Sequence, residues 1–526
     1  MFNFHISLFS FCKSAVCLLL FLSLIACDDR TFSPENVKKA ATTLEQLTQS
    51  TSVSHQNTKQ SNKLVRGGYS DLVTTVQVIK NQEQTALLYD LYEGLTAYDP
   101  QGRVVPAVAE SWQTQDNKNW LITLRKDSKW SNGELVTAED FVKSWQQLAL
   151  SDTPLKQYLL FLNLENAQAV IDHKLPANKL GVNAQNEYVL QIQLTKEVPY
   201  LPAMLAHVAL LPQYQQDSSG NVANGAYYVV KSLPNQIQLT VNPHYRHADK
   251  IYFRELEYQK LATEQNLNDI DLLAQPKQIT PNTIYLPSLC NYFYEFNFNH
   301  TMLQKRAVRK ALVSMISAHN LVHQQTENMI IGSRFLPQSM LLNYNMAWEP
   351  VVVEQLLQQA NITDKKPLKI KLSFENNGFH PEIARTLIQN WSQSDLIKVK
   401  AEALSSSQLS KKRADGDFQV VRSGWCGDYN EPSAFLNRFY SKSPDNKSGY
   451  RNEKVDKLLE NTLEPISEQE RTALYGKIFM LLQQDYAVLP IFQYSVPFYL
   501  NPTLLGVETN NPTQVIYSKD LSRRHN

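Results

Sequence analysis

The side chains with chemistry to offer in this sequence are five cysteines, eleven histidines and a few opposite charges set close together. Cys12 and Cys17 lie in an apolar N-terminal stretch and Cys27 ends it, which leaves Cys290 and Cys426 in the remainder. An even pair in an exported chain reads as a disulfide, with two separate buried thiols as the alternative. His319 and His323 are four apart, a spacing that fits a metal chelate on a helix and, more often, an ordinary helix face. No GxSxG, HExxH or GxxxxGK[ST] pattern occurs, and no histidine is followed directly by glutamate, so a peptide hydrolase is the weaker reading. Taken singly, Asp428 before Tyr429 reads as a turn cap and Arg422 as half of an internal ion pair. His380, before Pro381, reads as a helix start.

The 526 residues carry a formal net charge of +1, with 43% hydrophobic and 19% charged content. This predicts a multidomain globular chain, and a near-neutral balance without a polybasic stripe gives nothing to hold nucleic acid. Lys13 precedes an apolar run from Ala15 to Ile25 that is too short for the ~20 residues of a membrane span and fits a signal peptide over 1–26. The run closes on Leu24-Ile25-Ala26-Cys27, which resembles the lipobox of bacterial lipoproteins; the resemblance implies a lipidated Cys27. Asp28 resembles the signal that keeps such proteins at the inner membrane, facing the periplasm. Thr48 to Asn62 (TQSTSVSHQNTKQSN) lacks apolar periodicity and reads as a tether, so 27–61 is expected to be a flexible link.

From Leu64 onward, short strands and helices alternate, which predicts α/β lobes. Leu121–Leu124 reads as a strand. Thr137 and Asp140 make a partial capping box, followed by Phe141, Val142, Trp145 and Leu148 on one helix face. Ser467 and Glu470 form a second box, opening a helix with Leu474, Ile478 and Leu481 inward. Pro490 is expected to stop the segment that follows, and Ile491–Leu500 reads as a strand.

Two stretches carry a family resemblance. Leu91 to Trp145, LYEGLTAYDPQGRVVPAVAESWQTQDNKNWLITLRKDSKWSNGELVTAEDFVKSW, resembles the signature region of family 5 extracellular solute-binding proteins of ABC importers. Arg422 to Leu436, RSGWCGDYNEPSAFL, resembles the oligopeptide-binding branch, in which the motif cysteine pairs with one in a segment like Leu289-Cys290-Asn291-Tyr292-Phe293-Tyr294-Glu295. The resemblance implies a two-lobed α/β periplasmic-binding-protein clamshell with an additional third domain. Lobe I would be 62–91, 187–288 and 492–526, the additional domain 92–186 and lobe II 289–491, with hinge crossings near 288 and 491. It implies no enzymatic activity, no cofactor and no metal. The implied partners are an oligopeptide, the permease subunits of an ABC importer and, through the lipid, a membrane; the chain would be a monomer.

A free peptide is a zwitterion, and burying it requires a carboxylate for its amine, a cation for its carboxylate and partners for its backbone. By the resemblance, Asp428 meets the amine, and Arg422 and His380 meet the C-terminus. Gly424 and Trp425 supply main chain and an aromatic wall, and Glu295 is a polar cleft position. The sequence departs from the family at Leu72-Val-Thr-Thr-Val-Gln-Val-Ile79, where an Asp-Pro is missing and Lys80 lies nearby, and it looks shortened around Ala262–Ile270 and Gly332–Lys365. These departures leave a murein peptide, a dipeptide, haem or nickel as alternative ligands. Asp428 favours those with a free amine.

Overall fold

Alternation of apolar and polar residues in Lys63–Gly68 turns Leu64 and Arg66 inward and makes this strand a central member of a large sheet. This computed structural model describes residues 62–217, 219–262, 267–316, 329–332, 334–340 and 351–524. The expected signal segment, Cys27, the tether and the His319/His323 pair fall outside the described residues, as do parts of the two shortened regions.

Among the described residues the sheet has eleven strands, one of which, Met329–Ile331, pairs with Val488–Leu500 off the main path. One half runs Ile397–Leu404, Leu368–Glu375, Val420–Cys426. Two long strands, Thr283–Phe296 and Val488–Leu500, cross the middle. The other half continues through Leu272–Ala274, Lys63–Gly68, Glu255–Lys260, Gln236–Val241 and Tyr227–Leu233. The crossing strands pair antiparallel at both ends, Thr283–Pro287 against Ser495–Tyr499 and Asn291–Glu295 against Val488–Gln493, and their register slips between Pro287 and Asn291. The strand begins at Val488 and contains Pro490, expected to stop the segment. The ladder also slips between Tyr292 and Phe293, opposite Phe492 and Pro490, and such an irregularity tolerates a residue that has no N–H to give.

A separate four-stranded antiparallel sheet, Ala109–Thr114, Asn119–Leu124, Val189–Gln193 and Val182–Asn186, carries the helix Ala138–Leu150. The Asp140 carboxylate accepts from Thr137 N at 2.7 Å, closing the N-terminus, and Phe141, Val142, Trp145 and Leu148 are buried as the periodicity predicts. The Ser467–Glu470 box forms, with Glu470 N donating to Ser467 Oγ at 3.2 Å. The buried stripe that follows is rotated one position from the expected one: Tyr475, Ile478, Phe479 and Leu482 go inward, while Leu474 and Leu481 are only half-buried. Two aromatic rings bury more area than two leucines, and they set the rotation.

Candidate functional site

The strand Val420–Cys426 pairs with Asn291–Phe296 so that Arg422 faces Tyr294, Gly424 faces Tyr292 and Cys426 faces Cys290. The disulfide joins those last two, and it closes a sequence separation of 136. Successive side chains on a strand alternate faces, so the pleat divides the expected site residues. Arg422 and Gly424 share one face with Tyr292 and Tyr294. Ser423 and Trp425 lie on the other with Phe293 and Glu295.

On the first face, Arg422 lies over the Tyr292 ring at 4.7 Å and donates from Nη2 to the Tyr494 hydroxyl at 3.2 Å. His380 is brought there by topology. The parallel strands Leu368–Glu375 and Ile397–Leu404 need a crossover, and the helix His380–Trp391 supplies it, burying Ile383, Leu387 and Trp391. His380 is its first residue; the imidazole stacks on Tyr292 with ring centroids 5.6 Å apart and shares a 3.1 Å contact from Nδ1 to the Tyr292 hydroxyl. Burial and the nearby Arg422 charge hold His380 below its ordinary value. Arg422 and His380 thus meet across one tyrosine, with Phe379 and Phe492 completing the aromatic surround.

On the second face, Glu295, expected at the cleft, is instead the 1%-exposed centre of an ion-pair cluster. It accepts from Arg413 Nε and Nη2, both at 2.9 Å, from Ser423 Oγ at 3.2 Å, and from Arg438 Nη2. Burial pushes its carboxyl up, but Arg438 and Arg413 more than offset this and hold it below the usual range. Its oxygens are taken by protein donors, and its place is structural. Trp425 is half-buried; its indole N–H donates to Ala434 O at 2.6 Å and its ring is covered by Arg438 at 4.9 Å.

Asp428 differs from all of these. Gly427 N donates to Leu289 O at 2.8 Å, ending the ladder one residue earlier. The next ring, Tyr429, is buried and stacks on Tyr200 at 5.2 Å. Asn430 Nδ2 donates to Gly102 O at 2.8 Å, and Asn437 Nδ2 to Tyr200 Oη at 3.3 Å, so this segment lies against the region holding residues 102, 158 and 200. Between these anchors Asp428 is exposed, and among the described residues it has no hydrogen bond or ion pair. Surrounding protein nevertheless desolvates the carboxyl enough to raise it above the usual range, and its charge reaches Tyr158.

Gly424 is exposed, and a Cβ placed there would meet Asn291 O at 3.2 Å. Its strand also has an open edge. Leu368–Glu375 pairs with Val420 and Val421, and among the described residues Arg422 to Cys426 have no strand partner on that side. Such an edge can accept an extended backbone. The sequence reading missed Tyr292, Glu375, Tyr494, Tyr200 and Tyr158. Tyr292 had a usable signal, being two residues from Cys290 and hence on its face.

The model of the bacterial extracellular solute-binding proteins, family 5, matches residues 103–447. The chain belongs to this family. As a solute-binding protein it is a receptor and not an enzyme. It is 47% identical over 522 residues to a binding protein of Haemophilus influenzae, covering 98% of this chain and 99% of that one. Among solved structures, the unliganded open form of the periplasmic murein tripeptide binding protein MppA is 28% identical, covers 88% of this receptor and 98% of its own chain, and superposes with a TM-score of 0.83. Haemophilus influenzae OppA in complex with RPPGFSPFR is 27% identical, with 89% and 99% coverage and a TM-score of 0.57. The receptor therefore has the two- or three-domain α/β clamshell architecture of these structures.

Proposed function

We propose that this receptor captures short peptides with a free amine, murein peptides as well as linear oligopeptides, in the periplasm and delivers them to an ABC importer. The observation that carries the reading is Asp428. Among the described residues this accessible, partly desolvated carboxylate has no cation, and a ligand ammonium would supply the opposite charge. The open edge at Arg422–Cys426 supports it by offering backbone partners, and Arg422 with His380 offers donors for the far end of the ligand. Gly424 would let main chain approach closely, and the accessible part of Trp425 would flank it. The likeness to the murein tripeptide binding protein MppA and to OppA in complex with RPPGFSPFR supports including both ligand types in this reading.

The domain division belongs to the same proposal: lobe I at 62–91, 187–288 and 492–526, the additional domain at 92–186 and lobe II at 289–491. The register slip between Pro287 and Asn291 supports a hinge there. Lobes of this kind close as rigid bodies on a ligand. Attachment to the inner membrane through lipid on Cys27 rests on the sequence motif, and Cys27→Ala should abolish incorporation of labelled palmitate.

Refolded, ligand-free protein is mixed with a peptide library, murein tripeptide, haem and nickel, and followed by native mass spectrometry and small-angle scattering. The expected result is mass shifts with peptides, no cleavage, and a smaller radius of gyration on binding. Shifts with haem or nickel and with no peptide would overturn the assignment.

A further inference from the structure

Arg422 is already occupied. The last residue of the strand Leu368–Glu375 turns its carboxylate to this guanidinium, with Glu375 Oε1 accepting from Arg422 Nη1 at 2.9 Å. Both side chains are well enclosed, at 18% and 9% exposure, so water screens the pair little. Yet the pair is only half made. A guanidinium can give two parallel bonds to one carboxylate, and here a single nitrogen meets a single oxygen while Nη2 serves Tyr494. Arg422 Nε and Glu375 Oε2 are buried and have no hydrogen-bond partner among the described residues. With His380 held toward its neutral form, Arg422 and Glu375 leave this end of the site without net charge.

We propose that Glu375 is a placeholder counter-ion that sets specificity at the far end of the ligand: a free C-terminal carboxylate must take Arg422 from Glu375, so the receptor barely distinguishes free from amidated chain ends. The inference rests on the reading above that Arg422 meets that end. A carboxylate that displaces Glu375 gains a guanidinium and leaves another carboxylate enclosed without a cation, and the two effects oppose each other. An amide, or a chain that continues, brings no charge and leaves the pair intact. Glutamine at 375 keeps the shape and one acceptor oxygen but removes the competing charge.

The test is calorimetric titration at neutral pH of one tripeptide as free acid and as C-terminal amide, against the wild type, Glu375→Gln and Glu375→Asp. Urea midpoints for each protein establish that it is folded. The wild type should bind the two forms within about threefold, and Glu375→Gln should prefer the free acid by about tenfold, or about 1.4 kcal/mol. Glu375→Asp, which retracts the charge by one methylene, should lie between them and provides the comparison if the glutamine variant is unstable. A wild type that already prefers the acid tenfold, or ratios that do not move in either variant, would overturn the role of Glu375 while leaving the peptide receptor standing. If no protein bound either peptide, the peptide reading would fall and this inference with it.

Discussion

Glu295→Gln separates a structural role from a ligand-binding one. Glutamine preserves volume and one acceptor oxygen but removes the carboxylate that pairs with Arg438, which is 3% exposed and cannot rehydrate in place. Arg413, at 25% exposure, can turn toward water, so most of the penalty falls on Arg438. Stranding one buried charge costs about 3–5 kcal/mol, a large share of the roughly 5–15 kcal/mol of a typical folded protein. Urea unfolding followed by tryptophan fluorescence should therefore show a much lower midpoint for Glu295→Gln. Adding Arg438→Met, which fills the box of Phe293, Phe335, Trp425 and Phe439 with an uncharged chain, should restore at least half of the loss. Peptide affinity of the folded single variant should stay within a few-fold of wild type. A stability loss below about 1 kcal/mol together with a tenfold loss of affinity would refute the argument and return Glu295 to the cleft.

The same carboxyl predicts an acid limb. Its folded value lies below the unfolded one, so its stabilisation is full above the ordinary glutamate range near about 4.3 and is lost as pH falls through the lower folded value; Glu295→Gln should lack that component of the acid transition. Asp428→Asn should weaken free-amine peptides by about 2–5 kcal/mol and N-acetylated ones far less, and equal weakening would contradict the ammonium role. Because burial raises Asp428, ammonium binding should fall on acidification from a pH above the ordinary aspartate range near about 3.9, and affinity that holds steady down to that range would count against it. Replacing Cys290 and Cys426 together with serine opens a 136-residue separation, for which chain entropy gives up to about 5 kcal/mol; a change under about 1 kcal/mol in unfolding free energy would show that the bond adds little.

Local signals in the sequence translated well into structure. The Thr137–Asp140 and Ser467–Glu470 boxes depend on residues three apart, and both form. Cysteine parity pointed to the Cys290–Cys426 bond because no other partner remained. What escaped was non-local. Glu295 finds its arginines 118 and 143 positions away, so nothing beside it in the chain announces an ion-pair cluster. Glu375 meets Arg422 across 47 positions for the same reason. The helix after Ser467 offered leucines and aromatics at nearly equivalent angles, and only packing against the rest of the lobe chose between them. The motif around Trp425 was legible as a block, whereas its division by the pleat required the register.

That division has a practical use. Within the strand, residues 422 and 424 share the face of Tyr292 and Tyr294, and Ser423 shares the other with buried Phe293 and Glu295. On the proposed site, changes aimed at cargo preference belong on the face of 422 and 424 and changes aimed at stability at 423, while half-buried Trp425 bears on both.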